Sequence, residues 1–363
     1  MREIRNLSVK MLTLNFSTAV PVFNLSINAS KANSLCFEDA SVVRALAYVI
    51  ILLVSLAGNS MTIAVVFRGR LHMKNVHLFL LNMAIADLVV TVVYMPRMVV
   101  MMLYGNSWLV TGTFGLILCR TVPFLHHMSI LVSVFTILGA TLDRFFAMVF
   151  PLRKIMTSCV GKTIVVCIWL VAGILRLPYA ISAVLKNNGY YFSCSGNLKR
   201  IFGKHTELYH SVLLAIYCTL LVTTIVLYSV TILKLKGNDP PVLCNDAARA
   251  KRAQASKKLL NMLIVILVCF ILCWFMYFFA LSILPRPLSC ETMFFRFFLA
   301  HSNSALNPCI LAVFDFRYRR GYKTILNKIA PCFKVIEYTD SVPEASVSTI
   351  KTRTNCRLAN SRV

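Results

Sequence analysis

Apolar residues along this chain gather into seven runs, at about 42–67, 76–102, 116–142, 160–185, 208–235, 258–284 and 292–314. Each exceeds the roughly 20 residues that a helix needs to cross the ~30 Å hydrocarbon core of a bilayer. Lipid offers backbone N–H and C=O groups no partners, so the runs are predicted to be helices closed into one bundle. The fold class that follows is an all-α membrane protein, a seven-transmembrane helix bundle. Seven crossings is an odd number, which puts the two termini on opposite sides. Beyond the last run the period changes: Phe314, Tyr318, Tyr322, Ile325 and Ile329 recur at helical spacing, with Arg317, Arg319, Arg320 and Lys323 between them. That pattern predicts a short amphipathic eighth helix lying on a membrane surface. The chain divides into a tail at 1–41, the bundle at 42–314, the surface helix at 315–330 and a polar tail at 331–363 that reads as disordered.

Composition agrees and adds direction. The 363 residues are 58% hydrophobic and only 14% charged, which excludes an ordinary soluble domain. Basic residues cluster in the segment 68–75 (Arg68, Arg70, Lys74), before the sixth run (Arg249, Lys251, Arg252, Lys257, Lys258) and after 314, whereas 103–115 holds no Lys or Arg. The positive-inside rule then predicts a plasma-membrane protein with its N-terminus outside and its C-terminus in the cytoplasm. The net charge of +25 is accordingly a cytoplasmic-face property, suited to anionic lipid headgroups of the bilayer and a cytosolic protein partner, and not to nucleic acid. Four glycosylation sequons, at Asn6, Asn15, Asn24 and Asn28, crowd the N-terminal tail and agree with an outside location. No apolar run precedes the first span, which is expected to act as the insertion signal.

Of the thirteen cysteines, Cys36, Cys119, Cys194 and Cys290 fall outside on this topology. An even outer count permits two bridges: Cys119–Cys194, joining the third span to the loop at 186–207, and Cys36–Cys290, joining the tail to the last outer loop. Cys332 follows the amphipathic helix directly and is a candidate for palmitoylation. Ser346, Ser348, Thr349, Thr352 and Thr354 form a candidate phosphorylation cluster in the last tail.

Polar residues inside the apolar runs carry the chemistry. The third run starts at Cys119, passes His126-His127 and ends in Asp143-Arg144; as one helix, Cys119 to Asp143 covers roughly 36 Å, so one element reaches both membrane faces. Asp87, at membrane depth in the second run, must face the bundle interior, with Asn59, Asn303 and Asn307 as expected partners. It serves either as a structural contact or as a hydrated site for a cation or proton. Pro308 removes a backbone bond from the seventh run and predicts a kink there, with Asn303 or Asn307 satisfying the freed groups.

Gly58-Asn59, the run Leu81-Asn82-Met83-Ala84-Ile85-Ala86-Asp87-Leu88, Cys119, Asp143-Arg144-Phe145 with Pro151-Leu152, Trp169, Tyr228, Phe270 with Cys273-Trp274, and Asn307-Pro308 occur in order, one set per span. Together they resemble the motifs of rhodopsin-like (class A) G-protein-coupled receptors, most similar to the peptide-receptor type, over 42 to about 330. The resemblance implies a bundle that binds an extracellular ligand and activates a heterotrimeric G-protein. Arg144 would pair with Asp143 at rest and meet the G-protein in the active state, with Pro151, Tyr228, Lys257 and Lys258 at the same face. Asp87, with Asn59, Asn303 and Asn307, would hold an allosteric sodium ion; no other cofactor or metal is implied. Trp274 beside Phe270 would act as a rotamer switch, with Pro308 as a hinge. The chain departs from the family at Met276 and Leu220, where relatives have proline, at Leu311, where they have tyrosine, and at Gly112, where a loop tryptophan is usual.

The ligand half is unlike that of amine or retinal receptors. His126 stands where monoamine receptors hold a carboxylate, and the third span has no acidic residue besides Asp143. His301 stands where retinal receptors hold a lysine. The outer halves carry Arg97, Arg120, Arg176, Arg296, His126, His127 and His301 against Glu207 and Glu291. This is a basic vestibule suited to an acidic group. With Tyr190-Tyr191-Phe192 beside Cys194, the expected ligand is a neuropeptide-like molecule whose anionic or amide terminus docks near Arg97, Arg176 and His126, with Tyr277 and His301 completing the pocket. The alternative is an anionic lipid or small acidic ligand. A transporter, the reading from another class, would show internal repeats and broken helix pairs, which are not seen. An enzyme would need a nucleophile–base pair or metal-ligand spacing, and neither appears.

Overall fold

The computed structural model describes residues 41–150, 153, 155–189, 191–237, 246–283 and 290–329. The helices are α1 (Ser41–Arg68), α2 (Asn75–Tyr104), α3 (Gly112–Val149), α4 (Ser158–Ser182), α5 (Thr206–Gly237), α6 (Asp246–Ile283), α7 (Cys290–Phe314) and α8 (Phe316–Ile329). Seven of them are long and apolar enough to cross a membrane, so the chain is a multi-pass membrane protein. Its sidedness of burial is that of a lipid-embedded bundle: Ile174, Leu233 and Leu272 point outward, while Asn59, Asp87, His126, His301 and Asn307 are buried. The sequons at Asn6, Asn15, Asn24 and Asn28, Cys36, Pro151, Cys332 and the two tails lie outside the described residues, as does the side chain of Cys290.

Helix α3 is the axis of the bundle and packs against α2, α4, α5 and α6, while α7 packs against α6 and α1. Its disulfide end is fixed by Cys119–Cys194. Cys194 belongs to a hairpin of β1 (Ala183–Asn187) and β2 (Phe192–Gly196), in which Leu185 faces Cys194. The apolar run at 160–185 therefore splits, and the fourth helix, expected to end near Pro178, passes that proline and stops at Ser182. Ala183 and Leu185 pack against Cys119 and Val122 as strand residues; a short apolar run does not by itself distinguish strand from helix. Trp108 joins this cluster, donating its backbone N–H to Phe192 and its indole N–H to the Gly115 carbonyl. The loop tryptophan is thus present four residues before Gly112, where spacing alone had placed it.

Other boundaries moved for one physical reason, that helices continue past the apolar part that lipid requires. Helix α6 begins at Asp246, not 258, and α3 runs to Val149, not 142. Helix α2 contains a π-helical stretch, Val90–Tyr94, in which the Met95 N–H bonds the Val90 carbonyl, just before Pro96, which has no N–H to give. Nothing in the hydrophobic pattern signalled it.

The α1–α7 contact is set by two residues, Gly58 and Pro308. A Cβ placed at Gly58 would lie 2.7 Å from both Cβ and Cγ of Pro308, so only glycine lets the helices approach this closely. Helix α8 folds back onto the bundle as its periodicity predicts: Tyr318 and Tyr322 are buried, with hydroxyls bonded to His77 Nδ1 (3.1 Å) and Thr62 Oγ1 (2.6 Å). Between α7 and α8, burial works against ionisation of Asp315. Hydrogen bonds from the Arg317 side chain and backbone outweigh it and hold the carboxyl below the usual carboxylate range. Gly58→Val is expected to cost about 1–3 kcal/mol through overpacking and to lower the unfolding midpoint of the purified protein. An unchanged midpoint would contradict the close α1–α7 approach.

Candidate functional site

Functional side chains line α3 from one end to the other, in three tiers. At the end away from the disulfide, Arg144 donates from Nε to Asp143 Oδ2 at 2.9 Å, and Nη2 reaches the same oxygen. The other oxygen, Oδ1, accepts from Asn75 Nδ2 at 3.2 Å, and that amide also donates to the Met156 carbonyl at 2.9 Å. Gly161 leaves the room that Asn75 occupies. Asp143 is thereby held by its own helix and by the start of α2. Sequence reading found Asp143 and Arg144 but missed Asn75, an asparagine at a helix start that reads as an ordinary cap. Tyr228 is buried nearby; Thr141 stands close to its hydroxyl but donates to Ile137 instead, and Leu311 is packed in the apolar core. Lys257 and Lys258 lie exposed at the same end of α6.

The middle tier is a polar network in a dry core. Asp87 is 2% exposed and accepts from Ser304 Oγ and Asn307 Nδ2, each at 2.8 Å. Of the three asparagines expected around it, Asn307 alone bonds the carboxylate. Asn303 is buried but does not bond Asp87, and its Oδ1 has no partner. Asn59 donates to the Ser304 carbonyl at 2.9 Å. That carbonyl lies four residues before Pro308 and is the acceptor that the proline's missing N–H frees. The expectation that Asn303 or Asn307 would fill this role is therefore corrected: α1 supplies the donor, and the Asn307 amide is given to Asp87 instead. Ser304, one helical turn from Asn307 on the same face, was missed for lack of any charge. Asn82 donates to Thr136 and accepts from the Trp169 indole, both at 2.7 Å, tying α2, α3 and α4. Phe270 and Trp274 stack with centroids 5.9 Å apart, and α6 runs unbroken through Met276.

The tier nearest the disulfide is aromatic and basic. His126 and His301 face each other with their Nε2 atoms 2.9 Å apart, and Tyr48 reaches His301 Nδ1 at 3.2 Å. Tyr94 lies flat on His126, centroids 3.7 Å apart, and Tyr277 meets His126 edge-on. Arg176 is 5% exposed; its Nη2 donates to the Tyr217 hydroxyl at 2.8 Å, and its guanidinium stands over the rings of Tyr179 and Tyr217. Arg296 is also buried, donating to the Tyr277 carbonyl and lying 4.7 Å from that ring. The other expected basic residues divide. Arg97 turns to Asn106 and lies over Trp108, 5.2 Å from its ring centre, while Arg120 is exposed. Of the expected docking residues, Arg97 thus meets Asn106 and Trp108, while Arg176 meets Tyr217 and Tyr179. Tyr48, Tyr94 and Tyr217 were missed, being indistinguishable in sequence from apolar span residues.

Comparison with known proteins decides the family. Residues 58–311 match the profile described as 7 transmembrane receptor (rhodopsin family). The chain belongs to that family. It is similar to the RYamide receptor of Tribolium castaneum (25% identical, covering 79% of this chain and 81% of the relative). It is also similar to galanin receptor 2b of Danio rerio (27%; 83% and 79%) and neuropeptide FF receptor 1 of Rattus norvegicus (26%; 82% and 74%). The chain is a signalling receptor of the rhodopsin family and not an enzyme.

Within this receptor the Asn59 amide joins a proline-freed carbonyl to the Asp87 network. Asn59→Leu leaves the Ser304 carbonyl buried without that donor, which is expected to cost about 1–3 kcal/mol. The readout is thermal unfolding of the purified receptor; equal midpoints for variant and parent would show that another donor serves this carbonyl.

Proposed function

We propose that this receptor binds an extracellular peptide at the disulfide end of the bundle and activates a heterotrimeric G-protein at the Asp143–Arg144 end. The observation that carries the reading is the layout of α3. One helix, about 36 Å from Cys119 to Asp143, holds His126 in a buried aromatic and basic cluster and Arg144 on Asp143 at the far end. A ligand that separates groups at the first end can shift the helix packing that keeps the carboxylate and guanidinium together at the other. The relatives named for RYamide, galanin and neuropeptide FF support a peptide as the ligand class.

In this reading the disulfide end and the N-terminus are extracellular, with Asn6, Asn15, Asn24 and Asn28 glycosylated. The basic helix α8 rests on the cytoplasmic leaflet, with Cys332 available to a palmitoyl group. Arg144, Tyr228, Lys257, Lys258 and Pro151 serve the G-protein face, and arrestin and a receptor kinase act on the C-terminal serines and threonines. Asp87, Ser304 and Asn307 hold a sodium ion whose occupancy favours the resting packing, with Trp274, Phe270 and Pro308 as the moving parts.

Receptor reconstituted in lipid nanodiscs is expected to accelerate nucleotide exchange on a heterotrimeric G-protein once an activating peptide has been selected from a peptide library, and Arg144→Ala is expected to abolish the acceleration. Undiminished exchange by the variant, with the peptide bound, would overturn the role given to Arg144. Replacing sodium by N-methylglucamine is expected to raise agonist affinity in the parent and to leave Asp87→Asn unaffected. A sodium response that survives in Asp87→Asn would remove the ion from this site.

A further inference from the structure

The buried cluster near the disulfide contains cations without their counter-charge. Arg176 and Arg296 are 5% and 9% exposed, yet among the described residues neither has a carboxylate within ion-pair distance. Glu207 and Glu291, the acidic residues that the sequence offers in this half of the described bundle, are both exposed. What the guanidiniums touch is neutral: the hydroxyl and ring of Tyr217, the ring of Tyr179, the carbonyl and ring of Tyr277. Ring faces offset part of the cost of burying a cation but do not neutralise it. The rings they cover lead to the same histidine pair: Tyr179, under Arg176, lies 4.5 Å from His127, and Tyr277, under Arg296, meets His126 at 6.2 Å between centroids, so both charges border one region between α3, α4, α6 and α7.

Two of the unpartnered atoms there are nitrogens of the charged and titratable side chains. Among the described residues Arg176 Nε is buried without an acceptor, and His126 Nδ1 is likewise buried without a partner. An arginine Nε–H is always a donor. His126 can be one too. If its proton sits on Nδ1, its Nε2 accepts from His301 Nε2–H, and Tyr48 donates to His301 Nδ1. Those are the two contacts the structure holds. Among the described residues these two donors therefore have no acceptor, and the cluster has no negative charge. A primary carboxamide would supply the first and not the second; an ammonium would supply neither.

We propose that Arg176, Arg296 and His126 form a carboxylate-binding site, and that the receptor's peptide ligand is recognised through a free carboxylate, at its C-terminus or on an Asp or Glu side chain. This rests on the reading of the chain as a peptide receptor and narrows it, since an amidated, uncharged terminus is excluded as the anchoring group. The carboxylate accepts from Arg176 Nε, is held by the charge of Arg296 and accepts a hydrogen bond from the Nδ1–H of His126. Fixing that proton fixes the direction of the hydrogen bonds that run from α3 through His301 to Tyr48 on α1. Binding at α4 and α7 is thus felt by α1.

The test uses the full receptor in nanodiscs and three matched pools of mixed-sequence peptides whose randomised positions contain no Asp or Glu. One pool ends in a carboxylate, one in a carboxamide, and one in a carboxamide with a single Glu added; retention is read by affinity-selection mass spectrometry. One of the two acid-bearing pools is expected to be retained roughly tenfold more than the uncharged amide pool. Arg176→Gln and Arg296→Gln are each expected to remove that preference, and Arg176→Lys to keep part of it. Equal retention of the three pools, preference for the uncharged amide pool, no retention of any pool, or an acid preference that survives both Gln variants would overturn the proposal. Correct assembly of each variant is verified by its circular dichroism and unfolding midpoint, and Arg176→Lys supplies the charged control should Arg176→Gln not assemble. Because retention needs no G-protein, failure here with peptide-driven nucleotide exchange intact would refute the carboxylate site alone. Retention without exchange would instead refute the signalling role.

Discussion

A proline in a lipid-embedded helix leaves a carbonyl that no solvent can satisfy, and this receptor is assembled around the way that debt is met. Pro308 frees the Ser304 carbonyl, and the donor comes from Asn59 on another helix. For the amide to reach, α1 must approach α7 closely, which Gly58 permits by offering no side chain against the proline ring. Because the carbonyl is served from α1, the Ser304 hydroxyl and the Asn307 amide remain for Asp87 on α2. Three helices are thereby locked by one missing N–H.

Helix α3 carries the remaining logic. Its disulfide end is tied to a hairpin, its middle meets α2 and α4 through Thr136, Asn82 and Trp169, and its other end holds the Asp143–Arg144 pair. His126–His301, Thr136–Asn82 and Asp143–Asn75 are side-chain contacts that join α3 to separate helices, so a change of packing at one tier disturbs the next. In a core of this kind interactions have discrete alternatives, which is what a switch requires. Helix α8 stabilises the opposite corner through Tyr318 and Tyr322, whose hydroxyls meet α2 and α1.

Most of the architecture was legible in the hydrophobic pattern, because lipid imposes a single requirement on every span. The seven helices and the amphipathic α8 follow from run length and spacing, and topology permits the Cys119–Cys194 bridge that the structure shows. Legibility fails where apolarity does not decide the conformation. Ala183 and Leu185 continue an apolar run but sit in a strand, and the first turns of α6 are helical although polar. Charged residues in spans announced themselves, as Asp87, Arg144 and Arg176 did. Their neutral partners did not: Ser304, Asn75, Tyr48 and Tyr217 resemble background in composition, and only packing reveals what their polar atoms touch. Arg97 was conspicuous as a cation, but its contacts with Trp108 and Asn106 were not legible.

The π-helical stretch Val90–Tyr94 has a consequence for how this chain is aligned with others. One residue inserted into a helical turn rotates everything beyond it by about 100° relative to an uninterrupted α-helix. Positions counted from Asp87 toward the disulfide end are therefore in register only as far as Val89. Past that point, a gapless comparison with a relative that lacks the insertion pairs residues on different faces of α2. Tyr94, which in this chain lies flat on His126, would be matched to a residue that points elsewhere. Ligand preferences inferred by transferring second-helix positions from such a relative would be wrong by one residue from Tyr94 onward.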